Sequence, residues 1–247
     1  MRSLNAEALL LDVVNLQERD RIASFLTAEW GKKRGAARGA RTKYSRFAGQ
    51  LQPLSKIAVR WFEKEGRDLV RIAEVELLRP AAKLQEDLEG ILVGSYLAEL
   101  MSEFTQENEE SSRSFRLLDT TVEALLEGCD RDLAARYFEV WVLRLNGIFP
   151  TPRECPLCDR PIEGRAVLIQ SEAMVVCPDC GAGLTVGAAE LEFLWRSARQ
   201  NLAGMAEQPP ERRTLRRVES LCAHVRRTFL QSELKSYRVM QQTLSSL

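Results

Sequence analysis

The hydrophobic period of the chain changes near residue 79. Before it, apolar residues fall in short runs. Ala8 to Val14 is one such run, with Asp12 inside it, and Arg21 to Thr27 carries Ile22, Phe25 and Leu26. Ile57, Val59 and Trp61 alternate with Ala58, Arg60 and Phe62, the two-residue rhythm of a strand. Leu69 to Leu78 predicts a further strand after the turn Glu65-Gly66-Arg67-Asp68, and Gly31, Gly35, Gly39 and Gly49 punctuate the interior. Several short strands in this span suggest a small barrel, and the five-stranded OB fold has that size.

After Arg79-Pro80 the spacing becomes three and four. Leu84, Leu88, Ile91, Leu92, Leu100, Met101 and Phe104 predict a helix ended by the acidic loop Gln106 to Glu110, and Phe115, Leu118, Val122 and Leu125 predict a second. From Leu133 to Ile148 apolar residues cover most of the circumference, which predicts a buried central helix stopped by Pro150 and Pro152. Ala188 to Ala203 predicts a helix, and Leu215, Val218, Cys222, Val225 and Phe229 are the stripe of a last long one. The expected fold class is α+β, with an N-terminal OB-fold β-barrel at 1–79 and an α-helical domain at 80–247.

Composition narrows this. A chain of 247 residues that is 45% apolar can bury a sizeable core. It holds one histidine, His224, so sites built on several histidines are excluded. No run approaches the roughly 18 apolar residues that span a bilayer, and the first residues lack a signal peptide's apolar core. A cytoplasmic protein with reduced cysteines and no membrane partner is the expectation.

Cys155-Pro-Leu-Cys158 and Cys177-Pro-Asp-Cys180 are two CxxC knuckles with 18 residues between them. Each knuckle can bring two thiolates to one ion, and two complete a tetrahedral four-thiolate site. The expectation is one structural Zn²⁺ per chain, held by Cys155, Cys158, Cys177 and Cys180 in an insertion at 153–183. Ala166 to Gln170 and Ala173 to Val176 predict a hairpin between the knuckles. Such a site leaves no open position for hydrolytic chemistry. Cys222 lies on an apolar stripe and reads as core, Cys129 carries no readable role, and His224 reads as a solvated side chain.

The formal net charge is zero, but it is unevenly spread: residues 1–79 are net +6, 80–150 net −8 and 151–247 net +2. Between Glu29 and Glu63 there are nine basic side chains and no acidic one. Lys32, Lys33, Arg34, Arg38, Arg41, Lys43 and Arg46, with Tyr44 and Phe47 interleaved, read as a Gly-rich DNA-binding loop; cations displace condensed counterions and rings stack on bases. A solvated basic face, with the aromatics in a barrel core, is the competing reading. The acidic middle would repel DNA and keep it on the head. Arg212, Arg213, Arg216 and Arg217 form a second basic cluster, which could hold an acidic tail.

The order of these parts resembles the bacterial RecO family of DNA repair proteins. The segment Gly31-Lys-Lys-Arg-Gly-Ala-Ala-Arg-Gly-Ala-Arg41, with Ser45-Arg46 and Gly49-Gln-Leu-Gln-Pro53, is the family's most recognisable stretch, and the likeness covers essentially the whole chain. Asp159 stands where many members have Gly. The resemblance implies binding of single- and double-stranded DNA and ATP-independent strand annealing. It implies RecR, often RecF, the acidic C-terminal tail of single-stranded DNA-binding protein (SSB), and RecA as the protein being loaded. It also implies no enzymatic activity, in agreement with the absence of a Walker loop, a nucleophile elbow or a histidine network. The alternative from another class is a zinc-ribbon structural or regulatory protein acting through protein–protein contacts.

Overall fold

The computed structural model describes residues 2–149, 151–169 and 171–244. It divides into two compact units, residues 1–126 with 234–247, and residues 127–233.

The first unit opens with five strands: β1 (Arg2–Leu16), β2 (Asp20–Thr27), β3 (Gly31–Ala37), β4 (Lys56–Glu63) and β5 (Leu69–Arg79). β1 pairs antiparallel with both β2 and β4, β2 with β3, and β4 with β5, while β3 and β5 run parallel. The pairing thus runs β1-β2-β3-β5-β4 and back to β1. Alternation sends Leu4, Ala8, Leu10, Phe25, Ile57, Val59, Trp61, Val70 and Ile72 into one inner core, where Phe25 meets Trp61 edge to face at 5.6 Å.

The middle of β1 does not alternate, because it is buried on both sides. Leu9, Leu11 and Leu26 lie outside that inner core yet are buried. The cover comes from helices: α1 (Leu88–Phe104) packs on β1, and α2 (Ser112–Leu126) on β1 and β2. Leaving such leucines in water would cost about 1.5–3 kcal/mol each. A third helix, α7 (Lys235–Leu244), returns to this unit and packs on α1. The Glu99 carboxylate on α1 accepts from the N–H of Lys235 at 3.1 Å and of Ser236 at 2.7 Å, capping α7 from outside its own sequence.

The expected fold class therefore needs correction. The structure has an N-terminal β-sheet unit that includes α1, α2 and α7, and an α-helical region with the expected four-cysteine cluster, in place of an OB-fold β-barrel followed by a helical domain. The outward leucines of β1 and β2 recruit α1 and α2 into the sheet's own unit, and the second unit carries a sheet of its own.

That second unit contains α3 (Arg131–Leu145), β6 (Arg165–Ile169), β7 (Met174–Val176), β8 (Leu184–Gly187), α4 (Ala188–Ser197), α5 (Leu202–Glu207) and α6 (Arg212–Leu230). The three strands pair in the order β7-β6-β8, so the expected hairpin gains a third strand. The predicted helix at Ala188 to Ala203 is two helices, because the Asn201 side chain accepts from Gly204 N–H and starts α5 anew. Asp130 caps α3 by accepting from Leu133 N–H at 2.9 Å. Buried charges tie α3 to α6: Glu139 meets Arg136 at 2.8 Å and Arg226 at 3.1 Å, and Arg136 also meets Glu219 at 2.7 Å. Pro150, read as a helix stop, and Gln170, read as the hairpin's end, lie outside the described residues.

Candidate nucleic-acid interface and metal centre

The Gly-rich basic stretch is not one loop. Its first third is strand β3, paired with β2 and β5. Alternation then separates its cations. Lys33 points inward, 6% exposed, and its ammonium meets Glu63 Oε1 at 2.5 Å and Asn108 Oδ1 at 2.6 Å. Glu63 also accepts from Trp61 Nε1 at 3.1 Å. Burial works to raise the Glu63 carboxyl, but the Lys33 ammonium and the indole N–H together hold it below the usual carboxylate range. Lys32 is half-buried, donates to the Ser102 carbonyl, and is lowered by desolvation.

Arg34 faces outward and is exposed, as are Arg38, Arg41, Lys43 and Arg46 in the long connection to β4. That connection is held at its start. Gly39 N–H donates to Asp20 Oδ1 at 2.7 Å, and Arg41 donates from its backbone to the Arg19 carbonyl and from Nη1 to the Gln17 carbonyl at 2.9 Å. Tyr44 is 90% exposed, with the Lys43 ammonium 5.6 Å from its ring. Phe47 is 1% exposed and belongs to the inner core, with the Arg46 guanidinium 5.0 Å over its ring. Trp61 is likewise core, while Trp30 is half-buried beneath the Arg2 guanidinium at 4.8 Å. Lys56 and Arg60 are engaged, with Glu7 and Asp119 and with Glu74.

So the fold brings Arg34, Arg38, Arg41, Lys43, Tyr44 and Arg46 to the surface and takes Lys33 and Phe47 inside. It adds one residue that sequence reasoning missed. Arg71 is exposed on β5, its guanidinium 5.9 Å from the Phe62 ring, and its partner across the parallel pair is Ala36. The β5 alternation marks Arg71 as outward, but only the β3–β5 pairing puts it opposite Ala36, two positions along from Arg34.

In the second unit the four expected sulfurs converge. Cys155, Cys158, Cys177 and Cys180 lie with all Sγ atoms within 4.8 Å of one another, and Cys158 and Cys177 are 3.7 Å apart. A tetrahedral ion with Zn–S bonds of about 2.3 Å sets its sulfurs about 3.8 Å apart, so this donor set and spacing fit such an ion. The knuckles turn in the usual way, with Cys158 N–H donating to the Cys155 carbonyl and Cys180 N–H to the Cys177 carbonyl. Asp159 takes the left-handed conformation (φ 57°), one that Asp tolerates better than most residues. Arg160 joins the two knuckles: Nε approaches Cys158 Sγ at 3.3 Å, Nη2 approaches Cys177 Sγ at 3.8 Å, and Nη1 meets Asp179 at 2.8 Å. Those hydrogen bonds from Arg160 bring the Cys158 thiol down to about 6, toward the thiolate a metal requires. Arg160 gives no signal in the sequence, because its role appears only when the second knuckle folds back.

The second basic cluster is spread. Arg212 pairs with Asp132 at 3.0 Å and approaches Asp130 at 3.7 Å, and Arg217 lies 3.9 Å from Glu190. Arg213 and Arg216 are exposed on α6. Cys222 is fully buried, and burial pushes its thiol well up. Cys129 is half-buried. No helix among the described residues is long and apolar enough to cross a membrane.

The chain thus combines a β-sheet unit that presents exposed cations with a helical unit that carries a four-cysteine metal-binding motif. Residues 1–81 match the family model described as recombination protein O N terminal, and residues 85–238 match recombination protein O C terminal. The chain is 33% identical over 214 residues to the DNA repair protein RecO of Anaeromyxobacter sp. strain K, covering 85% of this chain and 84% of that one. Against RecO of Anaeromyxobacter dehalogenans it is 34% identical over 206 residues, 81% of each. Against RecO of Pelotomaculum thermopropionicum it is 30% identical over 241 residues, covering 96% and 93%. The chain belongs to the RecO family, whose members are non-catalytic recombination mediators.

Proposed function

We propose that the chain binds single- and double-stranded DNA through residues 1–79, anneals complementary strands without ATP, and with RecR helps load RecA onto SSB-coated DNA in the cytoplasm. The carrying observation is the run of exposed cations at Arg34, Arg38, Arg41, Lys43 and Arg46 around the exposed Tyr44 ring. Annealing brings two phosphate chains together, so it needs neutralisation and stacking but no bond chemistry. Arg71 and Phe62 extend the same outward surface. The four thiolates hold Zn²⁺ as a structural ion. The test is annealing of SSB-coated complementary oligonucleotides without nucleotide. Wild type accelerates it and an Arg34→Ala/Arg38→Ala/Arg41→Ala variant does not; equal rates for the two would overturn the reading.

For the SSB tail the reading is capture on Arg212, Arg213, Arg216 and Arg217. Exposed guanidiniums at Arg213 and Arg216 support it, since they can take carboxylates bidentately. Titration of an acidic tail peptide against an Arg216→Ala/Arg217→Ala variant checks it, and undiminished affinity would refute it. RecF and RecA are reached through RecR and the loaded strand.

A further inference from the structure

The loop joining α1 to α2 carries Glu107, Glu109 and Glu110, and Glu103 precedes it on the last turn of α1. All four side chains are exposed. This is not a free connection. Lys32 N–H donates to the Gln106 carbonyl at 3.3 Å, Asn108 N–H donates to the Lys32 carbonyl at 3.3 Å, and Ser111 N–H donates to the Ala28 carbonyl at 2.8 Å. The loop bridges to Gly31 and Lys32 as a short extra piece of sheet. Gly31 sits at φ 63°, and a Cβ there would lie 2.0 Å from the Glu109 carbonyl oxygen, so only glycine permits the approach. Side chains add to the hold. Asn108 accepts from the buried Lys33 ammonium at 2.6 Å, and Lys32 is drawn to the Ser102 carbonyl.

Two cations of the basic stretch are thus withdrawn at the very point where a loop of three exposed glutamates is held by its backbone, with Glu103 beside it. We propose that this acidic strap is an electrostatic stop, which bounds the nucleic-acid path on the sheet at Arg34 and directs strands toward Arg38 to Arg46. The inference rests on the reading of that surface as the DNA-binding one. Its reach follows from geometry. At about 3.3 Å per strand residue, Arg34 lies roughly 7 Å along β3 from Lys32 and Arg38 roughly 20 Å. The Debye length at physiological salt is about 8 Å, so the strap's field meets a strand at Arg34 and is screened at Arg38. Because the loop is held by its backbone, phosphate cannot simply displace it.

The test uses the full chain with Glu107→Gln, Glu109→Gln and Glu110→Gln together, which keeps side-chain size and the backbone hydrogen bonds. Binding to fluorescent oligothymidine is measured at low and high salt, with the occluded length taken from a titration on long single strands. The expected result is about threefold to tenfold tighter binding at 50 mM salt, closing to within about twofold at 500 mM, with a longer occluded length. Unchanged affinity and occluded length would overturn the proposal, as would a gain independent of salt. The Arg34→Ala/Arg38→Ala/Arg41→Ala variant runs beside it. If that variant loses affinity while the glutamine variant is unchanged, the stop alone fails. If neither changes, the DNA-binding surface fails with it.

Discussion

Tyr44 and Phe47 lie three residues apart in one connection, both read from sequence as DNA-binding rings, and the structure assigns them opposite work. Phe47 is 1% exposed within the inner core of the sheet, beside a cluster that includes Trp61 and Ile57. Removing its ring leaves a cavity, and Phe→Ala in such a place costs about 3–5 kcal/mol. For a unit of this size that lowers the melting temperature by of order 10 °C. Tyr44 is 90% exposed and touches little beyond Lys43, so Tyr44→Ala changes stability by less than about 0.5 kcal/mol. If bases stack on it, the loss is about 1–3 kcal/mol of binding, roughly fivefold to 150-fold in affinity. Two assays separate the effects: differential scanning calorimetry for melting, and anisotropy of labelled oligothymidine below each variant's transition. Phe47→Ala should melt early while its folded fraction binds DNA within a few-fold of wild type. Tyr44→Ala should melt normally and bind weakly. A Tyr44→Ala protein with undiminished affinity would refute the stacking role, and a Phe47→Ala protein with unchanged melting would refute the packing on which the division rests.

Three further outcomes are expected. Cys155→Ser, or treatment with a strong chelator, should destabilise the second unit by several kcal/mol while sparing oligothymidine binding, because a four-thiolate ion supplies folding energy outright; equal melting with and without chelator would contradict this. Arg160→Ala should lower zinc affinity about tenfold in competition with a chromophoric chelator, with Arg160→Lys intermediate, since the guanidinium bridges Cys158, Cys177 and Asp179. Unchanged competition would remove Arg160 from the site. Glu63 is held below its ordinary range, so it contributes stability above its unfolded pKa that is lost as pH falls through the folded one. Glu63→Gln should therefore flatten the decline of melting temperature on acidification below about pH 4.5, and a decline as steep as wild type would count against the Lys33–Glu63 pair.

What could be read in the sequence depended on whether local spacing carried the constraint. The CxxC pairs were legible because a knuckle is made within four residues. The strands at Arg21–Thr27 and Ile57–Trp61 were legible because burial imposes their apolar positions. β3 was not. Its inward positions are Gly31, Lys33, Gly35 and Ala37, small or charged where a strand is expected to be apolar. The reason lies across the sheet: a Cβ on Gly35 would sit 2.6 Å from Ile72 Cγ1, so the opposite strand already fills the space. The basic stretch therefore read as loop throughout, and Lys33 and Phe47 joined the candidate surface. α7 was missed because its cap, Glu99, comes from α1 and leaves no trace near residue 235. The third strand of the cysteine unit, β8, is four residues long and has too few positions to show a period.

The neutral total charge conceals an uneven surface, and the pairing of those charges explains how. In the second unit several cations are matched: Arg136 and Arg226 lie buried between Glu139, Glu219 and Glu233, Arg160 meets Asp179, and Arg212 meets Asp130 and Asp132, while Arg213 and Arg216 stay exposed on α6. In the first unit Lys33, Lys56, Arg60 and Arg79 are matched by Glu63, Glu7, Glu74 and Asp119. Among the described residues, Arg34, Arg38, Lys43 and Arg46 enter no such pair and are exposed. A paired cation offers a phosphate only the difference between two partners, whereas an unpaired, hydrated one offers its whole attraction and releases a counterion from the nucleic acid. On the proposed reading, affinity would be set by these few side chains and by the glutamates of the strap beside β3, because a chain with equal numbers of both signs can still bind a polyanion at one place.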